Sequence, residues 1–124
     1  MLNQLRDAIH QNAIEHGWWD EERSFGDIIA LCHSELSEAL EEYRNGMPPA
    51  YYYGQDGILR QQVVKTDIEN ANGRKPEGIA IELADCIIRI LDYCGKEGID
   101  IEEAIRIKHE YNKTRPYRHG GKKM

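Results

Sequence analysis

Four carboxylates stand out by their spacing: Glu35-x-x-Glu38 and, far along the chain, Glu82-x-x-Asp85. On a helix, residues three apart share a face, so each pair projects as a unit. Beside the first pair, Ile28, Cys32, Leu36, Ala39, Leu40 and Tyr43 form an apolar face with Glu35 at its margin. Ile79 and Cys86 flank the second pair on one side, Ile81 and Ile88 on the other. An acidic strip bracketed by apolar residues is not a simple solvated face. If the two helices pack together, the four acids converge near a core, where they repel one another and resist ionisation. Cations relieve that cost. Oxygen donors without His or Cys select hard ions, Mg²⁺ with Mn²⁺ as a substitute, over zinc. Glu35, Glu38, Glu82 and Asp85 are therefore the candidate metal ligands. A di-iron carboxylate bundle is the chemical competitor. It uses Glu-x-x-His on two helices, and neither pair has a His three residues after its Glu. His33 falls on a different face from Glu35. Charged strings of this kind are also common on exposed helices, so spacing alone leaves a plain solvated surface open.

The elements that must position these acids are legible as helical periodicity. Leu2, Leu5, Ile9 and Ala13 recur at spacings of three and four, which predicts a helix over 1–16 ended by Gly17. A connector with Trp18 and Trp19 follows. Ser24 and Asp27 resemble a capping box, opening a second helix that Asn45-Gly46 stops. A third helix over 77–94 follows Pro76, with Gly95 and Gly98 bracketing its end. It is apolar around most of its circumference and so is expected to be buried and central. Asp100 and Glu103 form the box of a fourth helix that ends before Pro116. Between the second and third helices, residues 47–77 break the pattern with Pro48-Pro49, Tyr51-Tyr52-Tyr53-Gly54 and Asn70-Ala71-Asn72-Gly73. Within this insertion, 58–68 reads as a short helix or a β-hairpin. The expected architecture is all-α, a four-helix bundle with one long crossover.

The chain has 124 residues, which suits one domain over 1–124. A formal net charge of −6 argues against binding a nucleic-acid polymer or an anionic membrane through bulk charge. No apolar run approaches the roughly 18 residues of a membrane span. The start of the chain lacks the pattern of a signal peptide, so a cytoplasmic location is expected. Cys32, Cys86 and Cys94 contain no C-x-x-C pair and read as reduced, small hydrophobes.

The strings His33-Ser34-Glu35-Leu36-Ser37-Glu38-Ala39-Leu40-Glu41-Glu42 and Ile81-Glu82-Leu83-Ala84-Asp85-Cys86-Ile87-Ile88 strongly resemble the MazG-like all-α nucleoside triphosphate pyrophosphohydrolases. So does the closing segment from Glu110 to Lys122. The resemblance covers roughly 1–46 and 77–122 and leaves the long insertion unexplained. It implies a MazG-type fold, Mg²⁺ on the four acids, and hydrolysis of a nucleoside triphosphate between its α and β phosphates. It also implies a homodimer or homotetramer, and an acid of the first pair, here assigned to Glu38, that activates the attacking water.

A phosphoanhydride substrate also needs cations and a surface for the base. Lys108 and Asn112 lie four apart on the fourth helix, and Lys113, Arg115, Arg118 and Lys122 follow. They are candidates for phosphate binding, although cations at a helix C-terminus also suit its dipole. The basic tail over 115–124, with Gly120-Gly121, is a candidate lid. Trp19, with Trp18 beside it, is a candidate platform for the nucleotide base, and His10 a hydrogen-bonding partner; core or dimer packing would use the same tryptophans. Three functions thus stand against one another: the pyrophosphohydrolase, a catalytically weak nucleotide-binding or regulatory homologue, and a helical dimerisation module with solvated acids.

Overall fold

The computed structural model describes residues 1–61 and 74–117. The described residues are mostly helical: α1 (Leu2–Glu15), α2 (Phe25–Arg44), α3 (Ile79–Glu97) and α4 (Ile101–Lys113), with strands β1 (Tyr51–Tyr53) and β2 (Leu59–Gln61). An all-α class with a small sheet in the insertion describes them. The chain forms two compact units, one of residues 1–20 with 91–124 and the other of residues 21–90.

The second unit contains all four acids. Ser24 caps α2 by accepting the Asp27 amide at 3.0 Å, as its side-chain chemistry demands. The buried residues of α2 are Ile28, Cys32, Glu35 and Ala39. Glu35 therefore sits within the buried stripe and not at its margin, and Leu36, Leu40 and Tyr43 of the expected apolar face are exposed. The first part of α3 faces α2 through Glu82 and Cys86, both buried. Burial and the adjacent Cys86 thiol push the Cys32 thiol up. The cysteines are free and buried. Expected burial all round α3 does not hold within one chain, since Leu83, Ile87, Ile88 and Ile90 are exposed. The apolar surface of both helices is wider than the described residues cover.

The insertion begins as a β-hairpin, with Tyr51 opposite Gln61 and Tyr53 opposite Leu59 in an antiparallel pair. Residues 59–61 are thus one strand of a hairpin whose other strand, Tyr51–Tyr53, precedes the 58–68 segment expected to form a short helix or a hairpin; residues 62–73 lie outside the described residues. Tyr51 also exchanges two backbone hydrogen bonds with Glu77, at 2.9 and 2.8 Å, and the Ala80 amide donates to the Pro49 carbonyl at 2.8 Å. The two ends of the insertion are clamped together at the entrance to α3. Gly78 makes this approach feasible: its φ is +114°, and a Cβ there would strike the carbonyls of Pro48 and Pro49.

In the first unit, the Arg6 guanidinium donates to the Ile99 carbonyl at 2.6 Å and Asn3 Nδ2 to Asp100 at 2.8 Å, fixing α1 beside the start of α4. Asp100 caps α4 by accepting the Glu103 amide at 3.1 Å. Helix α3 runs on through Gly95 to Glu97, beyond the expected end at Cys94. The reason is contact with α1: a Cβ on Gly95 would lie 2.6 Å from the His10 Cβ. Glycine serves close helix approach there, not termination, and Gly98 supplies the positive φ past the helix end.

Candidate metal centre

Glu35 is three residues from Cys32 on α2, and Glu82 is four from Cys86 on α3, so one helical turn carries the packed cysteines to the acids. Ligand oxygens of Glu35, Glu38 and Glu82 lie within 4.8 Å of one another. Glu35 and Glu82 are buried, and Glu38 is exposed. Glu82 is only 7% accessible, and its Oε2 atom is buried without a hydrogen-bond partner among the described residues. An orphaned carboxylate oxygen carries a desolvation cost that a native fold seldom leaves uncompensated.

The electrostatics follow from this crowding. Burial, then hydrogen bonding with Glu38 and Glu35, then the charges of Glu38 and Asp85 push the Glu82 carboxyl up to about 7. Burial, followed by the charge of Glu35, raises Asp85 as well, while Arg89 and Lys75 act the other way. Asp85 thus feels the cluster but is not one of the three residues whose oxygens converge.

Two cations on this side of the molecule were not singled out by the sequence pattern. Arg89 Nε donates to Glu35 Oε1 at 2.9 Å. Its position four residues after Asp85, on the same strip, was the available signal. Lys75, at the end of the insertion, lines a cavity of about 250 Å³ together with Glu38, Glu41, Glu42, Asn45 and Glu82. Nothing in the spacing of Lys75 announces it, because the hairpin and the Glu77 clamp place it. Tyr51 donates its hydroxyl to both oxygens of Glu42 at 2.9 Å, and burial with that carboxylate holds the phenol well above its ordinary range.

The chemistry available is that of a hard-cation site. The donors are carboxylate oxygens, one of them orphaned, and the residual negative charge exceeds what Arg89 neutralises. These residues fit Mg²⁺ or Mn²⁺.

The remaining candidates lie in the other unit. Trp19 donates from Nε1 to Asp92 at 2.9 Å, and His10 Nδ1 lies 2.8 Å from the same oxygen. Lys96 stands over the Trp19 ring at 5.2 Å. Both the Trp19 indole N–H and the His10 ring are therefore held by Asp92, a buried acid the sequence pattern did not single out. Its signal was an acid inside an apolar run of α3. Lys108 and Arg115 both stand over the Tyr111 ring, at 4.8 and 5.8 Å. Lys113 pairs with Glu110 at 3.0 Å. Asn112 is exposed on the last turn of α4. Arg118 and Lys122, with the tail from residue 118 onward, lie outside the described residues.

Comparison of the chain with protein-family models, with characterised proteins and with solved structures gives no match.

Proposed function

We propose that this chain is a Mg²⁺-dependent nucleotide pyrophosphohydrolase, converting nucleoside triphosphates or related nucleotides to monophosphate and pyrophosphate. The observation that carries the reading is the convergence of Glu35, Glu38 and Glu82 around a buried, partnerless oxygen of Glu82. The motif resemblance to MazG-like enzymes supports the choice of reaction and a MazG-type fold. Glu35, Glu38 and Glu82 would hold the cation, with Asp85 beside them. When bound, Mg²⁺ would neutralise phosphate oxygens and acidify water.

The protein's own groups divide the remaining work. Glu38 is the exposed member of the three, so its carboxylate is the one that water can reach, and it takes the proton of the attacking water. Arg89 orients Glu35 by donating its Nε–H to Oε1. Glu82, whose carboxyl is raised by burial and by its acidic neighbours, would have to be ionised to hold the cation.

The reading includes a homodimer or homotetramer. Leu36, Leu40 and Tyr43 on α2 and Leu83, Ile87 and Ile90 on α3 repeat at spacings of three and four and are all exposed. A second copy covering these stripes would complete the apolar faces. Light scattering of the intact chain at micromolar concentration is expected to show more than one copy.

The test of function is a pyrophosphate-release assay on Glu35→Gln, Glu38→Gln, Glu82→Gln and Asp85→Asn. Each is expected to lose most of its turnover while keeping wild-type far-UV dichroism. A variant with near wild-type turnover at saturating Mg²⁺ removes its residue from the metal set. A wild-type chain that binds Mg²⁺ and nucleotide without turnover would favour the regulatory homologue instead. No described helix is long and apolar enough to cross a membrane.

A further inference from the structure

The insertion, which the motif resemblance leaves unexplained, brings Lys75 to the acidic cavity. The backbone near Lys75 is held: Glu77 is bonded twice to Tyr51, and the Tyr51 hydroxyl is tied to Glu42 on α2. Lys75 is the one cation among the described lining residues, which also include Glu38, Glu41, Glu42, Glu82 and Asn45. Among the described residues, no carboxylate lies within ion-pairing distance of its ammonium group, whereas Arg60, Arg106 and Lys113 are each paired with a nearby acid.

A cation that lines an acidic cavity and is not paired there suits a second, anionic visitor. The size agrees. At about 250 Å³ the cavity is smaller than the roughly 300–1,000 Å³ of pockets that enclose a whole small molecule. It suits a short phosphate chain better than a complete nucleotide.

Resting on the function proposed above, we infer that Lys75, with the Asn45 amide of the same cavity, forms the subsite for the pyrophosphate portion of the substrate. In the reaction, the oxygen of water bonds to the α phosphorus as the α–β bridging P–O bond breaks. The electron pair leaves on pyrophosphate, the proton of water goes to Glu38, and Lys75 offsets the charge that gathers on the leaving group. The insertion is then a functional part of the site, because it delivers the cation that the two acidic helices lack at this end of the cavity.

The experiment uses the full chain with Mg²⁺ and inorganic pyrophosphate as the probe, comparing wild type, Lys75→Met and Lys75→Arg by calorimetry. A charged hydrogen bond of this type is worth about tenfold or more in affinity. Lys75→Met should weaken pyrophosphate binding by at least about that factor, and Lys75→Arg should retain most of it. The Mg²⁺-linked rise in melting temperature should not fall in either variant, since removing a cation near Asp85 leaves the acids at least as attractive to the ion. Equal pyrophosphate affinity in wild type and Lys75→Met overturns the subsite. A Lys75→Met protein whose Mg²⁺ response changes while pyrophosphate affinity does not also overturns it, assigning Lys75 to neutralising the acids. If wild type itself shows no Mg²⁺-linked rise, it is the metal reading that fails, and the two failures are thereby distinguished.

Discussion

Replacing Glu82 by Gln should stabilise the metal-free protein at alkaline pH. The Glu82 carboxyl is raised from its ordinary 4.5 to about 7, burial being the first cause and its acidic neighbours the next. Below about pH 4.5 the group is protonated in both folded and unfolded chains and has no effect on the balance. As pH rises towards 7 the unfolded chain releases its proton first, so the folded state loses stability at about 1.4 kcal/mol per pH unit. Above 7 the folded chain releases its proton too, and the loss levels off near roughly 3 kcal/mol as an upper bound. Asp85, raised for the same first reason, adds a loss of the same sign. Glutamine cannot ionise, so Glu82→Gln escapes the Glu82 part. Thermal unfolding in EDTA, followed by far-UV dichroism, should place the variant up to about 10 °C above wild type at pH 8 and close to it at pH 5. With Mg²⁺ present at pH 8 the order should reverse, because only wild type gains from the ion. A variant no more stable than wild type at pH 8 in EDTA, or one whose advantage is equal at both pH values, would refute the argument from crowded carboxylates.

Two further predictions concern the frame of the site. Arg89→Leu removes the partner of Glu35, whose side chain is 9% accessible against 28% for Arg89. Because the pair is partly hydrated, the cost should be on the order of 2 kcal/mol, below the ~3–5 kcal/mol of a fully buried pair; melting in EDTA checks this, and saturating Mg²⁺ should restore more stability to the variant than to wild type. Gly78→Ala, forced to a φ of +114° against the Pro49 carbonyl, should lose at least about 1–3 kcal/mol. Urea unfolding would show it as a lower midpoint at unchanged slope.

The helices were legible because their signals are local. Ser24 and Asp100 cap where their side chains can reach an amide three residues on, and apolar spacing marks the length between. The acidic pairs were legible for the same reason, as two motifs each confined to one turn. Glycine was less so: Gly46 and Gly98 end helices, whereas Gly95 sits inside one because α1 presses against it. That contact joins residues far apart in sequence and leaves no local trace. The same limit hid the roles of Arg89 and Asp92, whose partners come from distant segments, and of Lys75, which the insertion carries to the cavity. It also misplaced Glu35, since the stripe that α3 covers on α2 is narrower than the apolar face written in the sequence. The excess on Leu36, Leu40 and Tyr43 is left exposed.

The reaction is defined by which bond is broken and what breaking it requires. Phosphorus NMR of the purified chain with each nucleoside triphosphate, with Mg²⁺ and then with excess EDTA, reads both at once. At least one triphosphate should give equal amounts of monophosphate and pyrophosphate, only while Mg²⁺ is available and not with Glu38→Gln. Diphosphate and orthophosphate as products, turnover that survives EDTA, or no turnover of any nucleotide would contradict it.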